Sequence, residues 1–72
     1  MDKIKEAVTA SEQALTYKKD YPEAHYNLGL CFQKLGKFDE ALKEYKKSIM
    51  IKPDYASVES SMLDLLKHMC DF

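Results

Sequence analysis

The sequence contains no arginine and no tryptophan, and it has only two glycines and two prolines among its 72 residues. All of its basic residues are therefore lysines, and the net charge is only −1. A protein that reads nucleic acid usually carries guanidinium groups and an excess of positive charge. The composition argues against a nucleic-acid partner. The scarcity of glycine and proline leaves room for long helices.

Cysteine is also scarce, since the chain has only Cys31 and Cys70 and no CxxC pair. Together with His25 and His68 these residues show no spacing typical of a metal site, so we expect no metal and no cofactor. The N-terminus is charged and amphipathic, unlike a secretory signal, and no apolar run is long enough to span a membrane. We expect reduced thiols, a cytoplasmic location and no membrane partner. Cys31 is interpreted as a small core residue.

Motifs for catalysis are missing as well. The sequence has no glycine-rich phosphate loop, no HExxH, no GxSxG and no Cys/His pair with an orienting partner. Charged residues at helical spacing, such as Glu40 with Glu44 and Asp39 with Lys43, are interpreted as solvated surface groups. The sequence predicts no catalytic residue and no enzymatic activity.

Apolar residues recur at the i, i+3 or i+4, i+7 spacing of amphipathic helices in four segments. This pattern predicts four helices, each with one buried stripe. The stripes are Ile4, Ala7, Val8, Ser11, Ala14 and Leu15; Ala24, Leu28, Cys31, Phe32 and Leu35; Phe38, Ala41, Leu42, Tyr45, Ser48 and Ile49; and Val58, Met62, Leu65, Leu66 and Met69.

Local signals mark the ends of these helices. Asp20 two residues before Pro22 predicts a capping-box-like start of the second helix, with proline in its first turn. Gly36 is expected to end that helix. Pro53 stops the third helix, and Asp54 is expected to cap the fourth.

The first and second stripes recur as the third and fourth after a shift of 34 residues. Two kinds of helix, A and B, therefore alternate in the order B-A-B-A, and a 34-residue period built from a helix pair is typical of one repeat family. Identical residues at this shift include Glu6 and Glu40, Ala7 and Ala41, Lys18 and Lys52, Asp20 and Asp54, Tyr21 and Tyr55, and Phe38 and Phe72.

The segment 22–55 resembles a tetratricopeptide repeat, on Leu28, Gly29, Phe32, Ala41, Tyr45 and Pro53. The resemblance implies an all-α fold of antiparallel helix pairs, a four-helix fragment of a right-handed solenoid. We expect one domain over 1–72, in which 22–55 is a complete repeat. The segment 1–19 would be the B helix of a preceding half-repeat, and 56–72 the A helix of a following half-repeat or a cap. We interpret the chain as a piece of a longer array or a minimal repeat protein.

The resemblance also implies how the complete repeat packs. A glycine inside a helix costs about 1 kcal/mol relative to alanine, and in this family the glycine at Gly29 is expected to face Ala41 where the helices approach most closely. His25 stands where a tryptophan is common, so packing volume is expected to be missing there. Ser48 replaces the usual alanine, a change expected to alter little.

For function, the resemblance implies a concave surface, lined by A helices, that binds a peptide or a partner domain. An exposed Tyr26 one turn from an exposed Leu30 suits a peptide side chain, and Asn27 suits a peptide backbone. The alternative is ordinary surface, or contact with a neighbouring repeat. The predicted partner-binding residues are Glu23, Tyr26, Asn27, Leu30, Gln33, Lys34, Ser60, Ser61 and Asp64.

A second hypothesis is a structural module that self-associates as a homo-oligomer without a separate ligand. Leu63 occupies the place that Gly29 has in the complete repeat and would crowd a following B helix. An apolar outer face suggests pairing of fourth helices, or exchange of helices between molecules. The alternatives are that these side chains fold back over Tyr45 and Ile49, or that the chain is a spacer without a partner. The predicted self-association residues are Met62, Leu63, Leu66 and Phe72.

Overall fold

The computed structural model describes residues 3–69, and these form four α-helices: α1 (Lys3–Tyr17), α2 (Pro22–Lys34), α3 (Phe38–Ile51) and α4 (Ala56–Met69). The described part of the chain contains no β-strand, so the predicted all-α class is confirmed. Short loops join consecutive helices, and each helix packs on the next, with the most extensive contact between α2 and α3.

The loops show which end signals in the sequence were correct. Gly36 follows the last turn of α2 with φ 81°, a left-handed conformation that suits glycine, and it ends the helix as predicted. The expected cap by Asp20 is wrong, because Tyr21 precedes α2 and no side chain caps it. Pro22 begins the helix instead, where its missing N–H leaves no donor unsatisfied. Asp54 likewise lies two residues before α4 begins.

The 34-residue period is visible in the folded loops. The Nζ atom of Lys18 lies 5.9 Å from the centre of the Tyr21 ring, after α1. The Nζ atom of Lys52 lies 5.1 Å from the centre of the Tyr55 ring, after α3. The same pair of residue types, 34 positions apart, makes the same cation–π contact, so the two B-to-A connections fold alike.

The core lies where α2, α3 and α4 meet. Its fully buried members are Ala41 and Tyr45 from α3 and Val58 and Leu65 from α4. In the predicted stripe of α1 only Ser11 is buried, Ala7 is exposed and the other members are half-buried, because α1 packs mainly on α2. The half-buried residues around the core are Tyr26, Leu30, Phe32, Phe38, Leu42, Ile49, Tyr55 and Met62.

Gly29 makes room for an aromatic ring. A Cβ atom at this position would lie 2.5 Å from Cδ1 of Tyr45 and would also overlap Cε1. The sequence did not predict this ring contact: Gly29 was expected to face Ala41, whereas the atoms nearest to the Cβ position belong to Tyr45. The pair consists of the smallest residue on α2 and a large residue on α3, and we call it the glycine–tyrosine contact.

His25 was expected to leave packing volume unfilled, but its side chain makes two polar contacts. Its Nδ1 lies 2.8 Å from Oε1 of Glu44, and its Nε2 lies 3.2 Å from the carbonyl oxygen of Lys19. The imidazole thus bridges a carboxyl group on α3 and a carbonyl oxygen in the loop before α2. The interpretation of Glu44 as a solvated surface charge is wrong, because its side chain is only 13% exposed.

Ser48 does more than replace an alanine of similar size. Its hydroxyl donates to the carbonyl oxygen of Pro22 over 2.9 Å, and the residue is fully buried. Alanine has no donor for this bond. The serine therefore ties the last turn of α3 to the first turn of α2.

Candidate functional site

The two A helices, α2 and α4, are linked by Tyr26. Its hydroxyl lies 3.3 Å from Oγ of Ser61 on α4. Its ring lies 5.5 Å from that of Tyr55, just before α4, and 6.0 Å from that of Tyr45 on α3. These contacts hold the two A helices side by side, so residues 34 positions apart contribute to one surface.

A shallow groove of about 270 Å³ runs between α2 and α4. We call it the A-face groove, and its lining residues were all predicted from the sequence as partner-binding residues. Leu30 gives it an apolar, half-buried patch, and Lys34 and Asp64 place opposite charges on its two walls. The lining residues are Leu30, Gln33, Lys34, Ser61 and Asp64.

Tyr45 orients one of these residues from below. Its hydroxyl donates to Oε1 of Gln33 over 2.8 Å, which leaves the amide NH₂ of Gln33 as the free end of that side chain. Burial, above all, raises the pKa of Tyr45 from the usual value of 10.0 to about 12. The phenol therefore stays protonated at neutral pH and keeps donating.

This raised pKa predicts an alkaline loss of stability. The protonated phenol of Tyr45 contributes its full stabilisation below pH 10, and this stabilisation is lost as the pH rises towards about 12. Between these pH values Tyr45 ionises in the unfolded chain but not in the folded one, so ionisation favours unfolding. Two pKa units correspond to about 2.7 kcal/mol at most. Tyr45→Phe should be less stable than the parent at pH 8 by about 1 kcal/mol, having lost the bond to Gln33. Its stability should fall less between pH 9 and pH 12.

The measurement is urea denaturation followed by circular dichroism at several pH values. All other ionisable side chains are the same in both proteins, so the difference between the two pH profiles isolates Tyr45. Parallel profiles for the parent and Tyr45→Phe would contradict the prediction.

The other predicted binding residues lie outside the A-face groove. Tyr26 is half-buried, so the prediction of an exposed tyrosine is wrong, because periodicity along α2 does not reveal that α4 covers it. Leu30, which does line the groove, is half-buried too, so the predicted exposed leucine is also wrong. Glu23 and Asn27 line the side of α2 that faces α1, and Ser60 is exposed on α4. Their role in binding remains a prediction.

The sequence reasoning missed a second, larger groove of about 380 Å³ between α1 and α2. We call it the entry groove. Three of its α1 residues, Ala7, Ala10 and Ser11, are small, and Ser11 stands where the 34-residue shift places Tyr45 on α3. The serine at this position is visible in the sequence, and it could have predicted an open groove beside α1. Its lining includes Ile4, Ala7, Ala10 and Ser11 of α1 and Asn27 and Cys31 of α2.

A third surface, the exit groove, lies between α3 and α4 and measures about 280 Å³. Leu63 is 62% exposed and Leu66 is exposed as well, whereas Met62 is half-buried against the core. The predicted apolar outer face of α4 thus consists mainly of these two leucines, and Phe72 lies outside the described residues. The lining residues are Ile49, Glu59, Met62, Leu63 and Leu66.

Two further observations concern metals and membranes. Within residues 3–69, no three or more His, Cys, Asp or Glu side chains are grouped so that they could hold a metal ion. None of the helices in that range has the length and apolarity needed to cross a bilayer. Cys31 is a buried free thiol whose pKa is raised mainly by burial, and Cys70 lies outside the described residues.

Helix pairs that repeat with a 34-residue period and present grooves between them define a helical-repeat protein. The model of the tetratricopeptide repeat matches residues 22–55, and a further TPR repeat model matches residues 2–36. Together they cover residues 2–55, and the chain belongs to the tetratricopeptide repeat family. Such repeats generally mediate protein–protein interaction or scaffolding and are typically non-catalytic. A comparison with curated proteins gave no match.

Proposed function

We propose that the chain is a non-catalytic interaction module that binds a peptide or an extended segment of a partner protein in the A-face groove. The main support is that five residues of two different helices converge on one groove with an apolar patch, free hydrogen-bonding groups and two opposite charges. Ligand sites combine apolar surface with a few fixed polar groups in this way.

The groove suits one or two side chains and the backbone between them. An apolar side chain packs on Leu30, and the amide NH₂ of Gln33 donates to a peptide carbonyl. Lys34 and Asp64 attract opposite charges and so favour one direction of the bound segment. Glu23, Asn27 and Ser60 extend the proposed contact along the flanks of the two A helices.

The test uses peptides selected from a random phage-displayed library against the purified chain. Ser61→Phe should fill the groove and weaken binding of a selected peptide by about tenfold or more, equivalent to at least ~1.4 kcal/mol. Ser57→Phe is the matched control, since Ser57 is exposed on α4 and does not line the groove. Equal affinity of the parent and Ser61→Phe for every selected peptide would refute this site.

We also propose a reducing, intracellular location. The support is that Cys31 is a free, buried thiol and that its raised pKa disfavours the reactive thiolate. Differential alkylation of cysteines in intact cells should find this thiol reduced. A disulfide-linked product at Cys31 would contradict the location.

A second candidate function is self-association, which the exposure of Leu63 on α4 favours. A solvent-exposed leucine next to Leu66, along an apolar groove, is costly in water and suits a protein interface. The measurement is the solution mass of the purified chain across a concentration series. A mass that stays at one chain throughout would rule this function out.

A further inference from the structure

We propose that copies of this chain associate head to tail, with α4 of one copy docked in the entry groove of the next. The occupant of that groove is thus a second copy of the same chain. The inference rests on the self-association function above. Because Leu30 and Lys34 line both the entry groove and the A-face groove, its test uses substitutions at residues outside the A-face groove. The interface consists of the exit face of α4 in one copy and the entry groove in the next copy.

The first support is an exchange of residue size between equivalent positions. Inside the chain, α2 offers Gly29 to the ring of Tyr45 on α3. At the shift of 34 residues, α4 carries Leu63 in place of the glycine, and α1 carries Ser11 in place of the tyrosine. A contact between α4 of one copy and α1 of the next therefore pairs a large residue on the A helix with a small residue on the B helix. In the glycine–tyrosine contact the small residue is on the A helix and the large one is on the B helix.

The second support is that the internal packing already defines the docked position. Within the chain α2 packs against α3 and touches α4. At a shift of 34 residues α3 is equivalent to α1, and α4 is equivalent to α2. A helix of type A therefore fits in the entry groove as α2 fits between α3 and α4. The shift converts the contact between Tyr26 and Ser61 into a contact between Ser60 of one copy and Asn27 of the next, two side chains able to hydrogen-bond.

The third support is that docking covers both exposed grooves at once. When α4 enters the entry groove of the next copy, α1 of that copy lies over the exit groove, as α3 lies over α2 inside the chain. The α2 equivalents of Leu63 and Leu66 are Gly29, which is buried against the ring of Tyr45, and Phe32, which is half-buried against the core. Leu63 and Leu66, which are exposed in one chain, would be covered in the same way by α1 of the second copy.

Charge agrees with this order. The charged residues that line the entry groove are Lys3 and Lys34, both positive. The charged residue that lines the exit groove is Glu59. In the docked position Glu59 takes the place of His25 and faces Ala10, the equivalent of Glu44, so it meets no like charge. Pairing two α4 helices instead brings two copies of Glu59 and of Leu63 towards each other. Opposite surfaces on one chain form a heterologous contact, which continues into an open chain of copies unless it closes.

The experiment uses two variants that each disable one surface. Ser11→Tyr fills the entry groove, and Leu63→Asp places a charge on the exit face. By sedimentation equilibrium the parent should gain mass with concentration beyond a dimer, whereas each variant alone should keep the mass of one chain. An equimolar mixture should form a 1:1 complex, because Ser11→Tyr retains an intact α4 and Leu63→Asp retains an intact entry groove.

A double variant tests the size exchange directly. Ser11→Tyr combined with Leu63→Gly recreates the glycine–tyrosine contact between copies and should associate again. Gln13→Tyr and Met50→Asp are matched controls, since Gln13 is exposed on α1, Met50 is 81% exposed on α3, and neither lines the two grooves. Both controls should associate like the parent, and circular dichroism verifies that all variants are helical.

Three results would overturn the proposal. If the parent keeps the mass of one chain, self-association itself fails, and peptide binding is unaffected. If Ser11→Tyr associates as strongly as the parent, the entry groove is not used and pairing of α4 helices takes its place. If the mixture of Ser11→Tyr and Leu63→Asp forms no complex although the parent associates, the order of docking is wrong.

Discussion

Replacing Tyr45 with alanine is expected to lower the free energy of unfolding by about 3–5 kcal/mol, the range found when a buried aromatic side chain is removed. Tyr45 is fully buried, and its ring fills the space that Gly29 leaves open. Its hydroxyl also donates to Gln33, so the substitution removes apolar contact and leaves the amide oxygen without its partner.

Domains of this size are stabilised by only about 0.05–0.15 kcal/mol per residue, so the loss is a large part of the total. Tyr45→Ala is therefore expected to be substantially unfolded at room temperature, as measured by urea denaturation and circular dichroism. Tyr17→Ala is the matched control, because Tyr17 is 93% exposed and its loss should change stability by less than about 0.5 kcal/mol. A loss below about 1 kcal/mol for Tyr45→Ala would mean that the core does not depend on this ring.

The helices and most of their limits are predictable from the sequence because their signals are local. The spacing of apolar residues fixes one stripe per helix, and Gly36 and Pro22 act through their own backbone geometry. The residues of the A-face groove are predictable for a related reason. A shift of 34 residues places Leu30 and Asp64 at equivalent positions of two A helices, and helices that repeat in this way lie side by side.

Contacts between distant residues are not predictable in this way. Tyr26 looks exposed on α2 alone, and only the packing of α4 shows that it is half-buried. Glu44 looks like one of several surface carboxylates until α3 brings it to His25, 19 residues away in sequence. In each case the burial depends on where a second helix lies, and the periodicity of the first helix contains no information about that.

The partner of Gly29 illustrates the same limit more finely. The sequence indicates that a glycine inside α2 has a packing role, but the offset between α2 and α3 decides whether Ala41 or Tyr45 faces it. These residues are one helical turn apart on α3, so a shift of one turn between the helices exchanges them. The structure brings the ring of Tyr45 against the glycine, and this also explains why Ser11 leaves the entry groove open.

Gly29→Leu is expected to destabilise the chain by about 1–3 kcal/mol or more, through overpacking. A Cβ atom alone at this position already overlaps the ring of Tyr45, and a leucine adds three further carbon atoms. Replacing glycine with a residue that favours helix gains about 1 kcal/mol of helix propensity, and this gain offsets part of the stability lost to overpacking. Gly29→Ala receives nearly the same gain with the smallest possible overlap, so it should be the milder of the two. Urea denaturation of both variants measures the difference.

The decisive control combines this substitution with Tyr45→Ala. If the two residues share one space, the leucine occupies part of the volume that the ring leaves, and the double variant should lose less stability than the sum of the single losses. For residues in contact such coupling amounts to about 0.5–3 kcal/mol. Because Tyr45→Ala is expected to unfold in water, the cycle is best measured in a stabilising osmolyte. Strict additivity would show that Gly29 is needed for its backbone alone, and the glycine–tyrosine contact would lose its energetic role.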